Sequence, residues 1–187
     1  MPKFVMGEFD SPDSNISNKR IWDTYIQPSI DKGGGPPGLV RVNPKDLGTA
    51  GSKSHLELHG HVIPYTESGR ISGVAVVPFG AKSSAMVHEL MHVRQLETGR
   101  LKLSRDYLEY LTNELEAYAA GRRIKNKPLQ MDDVQDAVVA TIDAYDVSPK
   151  QVARGVVQIL SKYGYRFNSF RKDELLKGLE KWLEVRS

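Results

Sequence analysis

Two imidazoles and a carboxylate fall within five residues of this chain, His88-Glu89-Leu90-Met91-His92. Residues four apart on a helix stand one above the other on the same face, so His88 and His92 can offer ring nitrogens to one metal ion. Glu89 lies about 100° round from His88, off the ligand face but close enough to reach a water held by the metal. The chemistry would be hydrolytic, with a metal to activate water and a carboxylate to take its proton. The same pattern also arises by chance in chains that bind no metal, so it needs a third ligand.

The elements that would position these residues can be read outward from them. The run Ala85 to Gly99 reads as a buried helix, with Ala85, Met86, Val87, Leu90, Met91 and Val93 wrapping the polar insertions. Ser83 or Ser84 would cap it, and Gly99 would end it. A second helix is expected from a cap at Ser104 to about Lys125. It carries two carboxylates that could be the third ligand, Glu114 and Glu116, separated by about 200° of helix. Tyr107, Leu111, Glu114, Tyr118 and Gly121 follow the spacing of a buried stripe, and Glu109, Thr112, Glu116, Ala120 and Arg123 that of a wet face. Glu114 is therefore the expected inward carboxylate, which needs a metal or a cation such as Arg94 to offset its burial. Two histidines and one glutamate form a known catalytic zinc set. His55, His59 and His61 share strand parity and make a competing cluster, although a partly exposed polar strand face explains them as well.

The remaining chain sets the frame. Its 187 residues suit one sizeable core or two subdomains, and it has no cysteine, so any metal must use His and carboxylate. Residues 1 to 17 read as a flexible arm. A helix capped by Asn18 carries Ile21, Trp22, Tyr25 and Ile26 and should end or kink at Pro28, before the break Gly33-Gly34-Gly35-Pro36-Pro37-Gly38. Strands are expected at Leu39 to Val42, His55 to Tyr65 and Arg70 to Phe79, the last two as a hairpin. Pro78 suggests that the last strand is a sheet edge, open to pairing with an extended peptide. Three further helices are expected, at Asp132 to Tyr145, Pro149 to Tyr163 and Arg171 to Val185. Net charge is +3, and the stretch from Val147 to Ser187 holds nine Lys or Arg against four Asp or Glu. That bias reads as solvated surface, with a DNA-binding helix-turn-helix as the minor alternative. No signal-peptide pattern or membrane-length apolar run is present. The expectation is a cytoplasmic protein, or one delivered without an N-terminal signal peptide.

The segments H-E-L-M-H-V-R-Q and N-E-L-E-A-Y-A-A together resemble the gluzincin group of zinc metallopeptidases, above all its compact bacterial and phage-borne members. The likeness covers Ile71 to about Arg123. It implies an α+β, zincin-like fold: a small twisted sheet and the metal helix in an upper subdomain, 18–99, and a mostly helical lower subdomain, 100–187. It also implies zinc on His88, His92 and Glu114, a zinc-held water activated by Glu89, and a protein or peptide substrate. Such peptidases usually add a donor for the developing oxyanion, and Tyr163, Tyr165, Tyr107 and Arg166 are the candidates. Where the group often has an Asp four residues after the ligand glutamate to orient a histidine, this chain has Tyr118. A catalytically inactive binding protein and a DNA-binding regulator are the competing readings.

Overall fold

Extended runs and helices share the first half of the chain and long helices fill the second, and the result is an α+β architecture. In this computed structural model, residues 1–5, 12–47, 60–101, 106–168 and 171–185 are described. They divide into two compact units, Met1–Leu103 and Ser104–Ser187.

In the first unit, β1 (Lys3–Phe4), β2 (Leu39–Val42), β3 (His61–Glu67) and β4 (Arg70–Pro78) form one mixed sheet in the order β1-β3-β4-β2. The β3–β4 hairpin closes through Ser68 and Gly69, both at positive φ (51° and 79°), the two-residue turn whose twist matches antiparallel strands. His55 and His59 lie outside the described residues, so of the expected histidine cluster only His61 is described. Residues 3 and 4, read from the sequence as part of an arm, pair with Thr66 and Tyr65 of β3.

The expectation that β4 is an edge strand is overturned, because β2 pairs with it in parallel on the side away from β3. Val74, Ala75, Val76 and Val77 are all fully buried, the continuous apolar run of a strand covered on both faces. Pro78 is tolerated because it is the last residue of β4. The N–H groups of Ala75 and Phe79 donate to Gly38 and Val42 beside them, so the nitrogen of Pro78 has the opposite parity and points to the β3 side. There it lies two residues beyond Val76, the partner of His61 at the start of β3. An extended peptide therefore cannot add to β4 along Ala75–Pro78.

Of the two outcomes expected at Pro28, an end or a kink, the helix does not end there but changes its hydrogen-bond ladder just before it. Helix α1 (Pro12–Ile21) runs through a π-helical turn, Trp22–Ile26, into α2 (Gln27–Asp31), where Pro28 sits in the first turn. The wider turn, in which the Gln27 N–H reaches the Trp22 carbonyl, relieves the clash a proline ring makes inside a regular α-helix. Asn18 lies inside α1 rather than capping it. Ile21, Trp22, Ile26 and Ile30 pack on Val40, Val42, Ile63, Val74 and Val76 to form this unit's core.

Asn18 is buried, and its Oδ1 lies 2.7 Å from Nε2 of His61, which donates to it in the neutral ring. Loss of solvation pushes the His61 pKa down to about 4. Above pH 6.5 the ring is neutral folded or unfolded and has no effect on stability. As pH falls from 6.5 to 4, only the unfolded chain takes up the proton, so stability should drop by roughly 3 kcal/mol at most. Denaturant unfolding at several pH values should show this slope in the wild type and a flatter one in His61→Gln; parallel profiles would exclude His61 as its source.

In the second unit, α4 (Tyr107–Arg123), α5 (Met131–Ala144), α6 (Pro149–Tyr163) and α7 (Lys172–Glu184) share one core, which includes Leu111, Leu115, Val134, Val138, Val156, Leu160, Leu175 and Leu179. Each fully buried leucine contributes about 2 kcal/mol. Asp106 caps α4 by accepting from the Leu108 N–H, and the expected cap Ser104 is outside the described residues. Ser148 and Gln151 form a capping box on α6. No helix among the described residues is long and apolar enough to cross a membrane.

Candidate metal centre

Helix α3 (Ser83–Glu97) packs on β4 and carries the H-E-x-x-H residues. It starts two residues earlier than the run Ala85 to Gly99 suggests, with Lys82 at its N-cap and both serines inside it. It ends as expected: Gly99 takes φ +69° and Arg100 N–H closes on the Gln95 carbonyl. Ser72 of β4 donates to the Glu97 carboxylate at 2.5 Å, fixing the last turn of α3 to the sheet.

Burial on α3 inverts the usual pattern. Glu89 is 3% exposed and His92 8%, whereas Leu90 is 39% exposed. A helix that turns its polar residues inward gives up solvation, and a ligand or hydrogen bonds must compensate. Gly60, just before β3, makes room for the carboxylate. A Cβ there would lie 2.8 Å from Cγ of Glu89 and 2.1 Å from the Val76 carbonyl oxygen, so only glycine lets the strand and Glu89 come this close.

His88 and His92 turn their Nε2 atoms toward each other at 3.0 Å, with the rings edge to face. Two nitrogens about 2.0 to 2.1 Å from one tetrahedral zinc are about 3.3 Å apart, so the pair needs to open by only a few tenths of an ångström to share an ion. Nδ1 of His92 lies 2.8 Å from Oε1 of buried Gln95. An amide oxygen can only accept, so it holds the proton on Nδ1 and leaves the Nε2 lone pair for a metal. Gln95 was missed in the sequence, although a buried polar residue three places after a ligand histidine is the signal that finds it. The donor atoms therefore fit zinc.

Glu114 belongs to the second unit, on α4. The apolar stripe of that helix runs through Leu111, Leu115 and Ala119, with Ala120 and Gly121 also buried. Ala120, expected on the wet face, is therefore inside, and Glu114 and Glu116 are both half-buried at the flanks of the stripe. Taken over the whole residue, burial does not separate the two carboxylates. Tyr110 does distinguish Glu114: its hydroxyl hydrogen-bonds the Glu114 side chain, and burial, followed by the charge of Glu114, raises the Tyr110 pKa far above its ordinary value. Tyr118 packs against the core of this unit.

Tyr163 ends α6 and stacks on Tyr165, with ring centroids 5.9 Å apart. Tyr163 is half-exposed, and Lys162 Nζ lies 5.2 Å from its ring centre. Arg166 spends one donor on Asn126 Oδ1 at 2.9 Å, and a ring carbon of Tyr107 lies near the Gly155 backbone. No protein-family model, no curated protein and no solved structure matches this chain.

Proposed function

We propose that the chain is a zinc-dependent metallopeptidase of the gluzincin type, in which His88, His92 and Glu114 hold the ion and Glu89 is the general base. The observation that carries this reading is the convergence of the His88 and His92 Nε2 atoms beside a buried Glu89 on one helix. A further support is that, among the described residues, His88, His92 and Glu114 are the group of ligand-type side chains that could hold a metal ion.

Bound zinc would supply Lewis acidity, enough to bring the pKa of water down to about 7. Glu89, screened from bulk solvent, takes the proton of the attacking water and returns it to the leaving amine as the C–N bond breaks. Gln95 keeps the His92 ring in the tautomer that can act as a ligand. Tyr163 and Tyr165 remain the proposed donors to the developing oxyanion, with Tyr107 and Arg166 as alternatives. Peptides of varied sequence incubated with the zinc-loaded protein should be cut at internal bonds, and a chelator should stop the cutting. Cleavage that is unchanged by the chelator, or no cleavage of any peptide, would count against a peptidase.

A further inference from the structure

The hydrogen bond from Tyr110 draws attention to what holds the third ligand. We infer that Tyr110 is the positioning residue for Glu114, fixing one carboxylate oxygen so that the other is presented to the metal. The inference rests on the peptidase reading and adds to it a residue that the H-E-x-x-H pattern does not contain.

Tyr110 and Glu114 are four apart on α4, and helical side chains lean toward the N-terminus, so the Glu114 carboxylate tilts back over the preceding turn where Tyr110 stands. The Tyr110 hydroxyl and the Glu114 side chain are hydrogen-bonded there. The Tyr110 ring is held by a second contact: Tyr145, at the C-terminal cap of α5, packs against it with centroids 5.4 Å apart and planes at 56°. The hydroxyl is thus fixed by two helices of one unit rather than by the rotamer of one side chain.

The chemistry suits the role. A free glutamate has three rotatable bonds to immobilise before it can act as a ligand, and an anchored one has lost that freedom already. A neutral phenol anchors the carboxylate without cancelling its charge, whereas a Lys or Arg at the same place would compete with the cation. Partners of this kind typically change metal affinity by about 10- to 100-fold.

The test is a double-mutant cycle on zinc affinity, measured by chelator competition for the full chain, Tyr110→Phe, Glu114→Ala and the double variant. The expected result is an affinity about 10-fold weaker for Tyr110→Phe, with no further loss when the same change is made in Glu114→Ala. Thermal unfolding of the metal-free variants should match the parent closely, because the phenyl ring keeps its packing on Tyr145. Wild-type affinity in Tyr110→Phe, or an equal loss in both backgrounds, would overturn the positioning role and leave the peptidase reading intact. A wild-type protein that binds no zinc would overturn both.

Discussion

Glu89→Gln should bind zinc as tightly as the parent and lose hydrolysis by at least about 10²-fold, within the range a general base contributes. The substitution is nearly isosteric, and its Cγ keeps the same place against Gly60. An amide cannot take a proton at neutral pH, so only the proton transfer is removed. His88 and His92, the proposed ligands, lie on the adjacent face of α3 and should be undisturbed. Metal content and initial rates on a cleaved peptide read the two effects separately. Retained activity would show that Glu89 is not the base, and loss of metal along with activity would make its role structural.

Glu114→Ala should weaken zinc by more than about 10²-fold, beyond the effect expected of residues that only support a ligand. Glu116→Ala, two residues along the same helix, should leave zinc affinity near that of the parent. The comparison is matched, because both carboxylates are half-buried on α4 and both changes favour the helix equally. The chelator-competition constants of the two variants decide between the flanks of the α4 stripe. If Glu116→Ala has the larger effect, the third ligand has been assigned to the wrong flank.

Helix α3 was legible because its signals are local: a polar triplet among apolar neighbours marked it, and the glycine at Gly99 marked its end. The β3–β4 hairpin was legible for the same reason, although its turn, read as Thr66 to Gly69, is only Ser68 and Gly69. The errors arose where partners are remote. Pro78 looked like an edge marker because the parallel strand that covers β4, Leu39–Val42, lies far back in the chain. The unbroken apolar run Val74 to Val77 argued for a central strand and was the better guide. At Pro28 the sequence left an end and a kink both open, because a π turn changes the hydrogen-bond ladder without leaving a mark in composition. On α4, helical periodicity found Leu111 and Gly121, which are buried, and Tyr107 and Tyr118, which pack on the core, but it missed Leu115 and Ala119 on the side that meets α5 and α6. Gln95 and Tyr110 sit three and four residues from the side chains they hydrogen-bond, His92 and Glu114, at spacings a helix makes adjacent. The strands and helices were visible in residue periodicity, whereas strand order was not, since it depends on pairing between distant segments.

The most direct test of the account is the metal content of the purified protein. Elemental analysis after extensive dialysis should find about one zinc ion per chain in the parent and in Glu89→Gln, and little in His88→Ala, His92→Ala or Glu114→Ala. A parent protein that is folded and metal-free, and that takes up no zinc when it is supplied, would contradict the account at its centre.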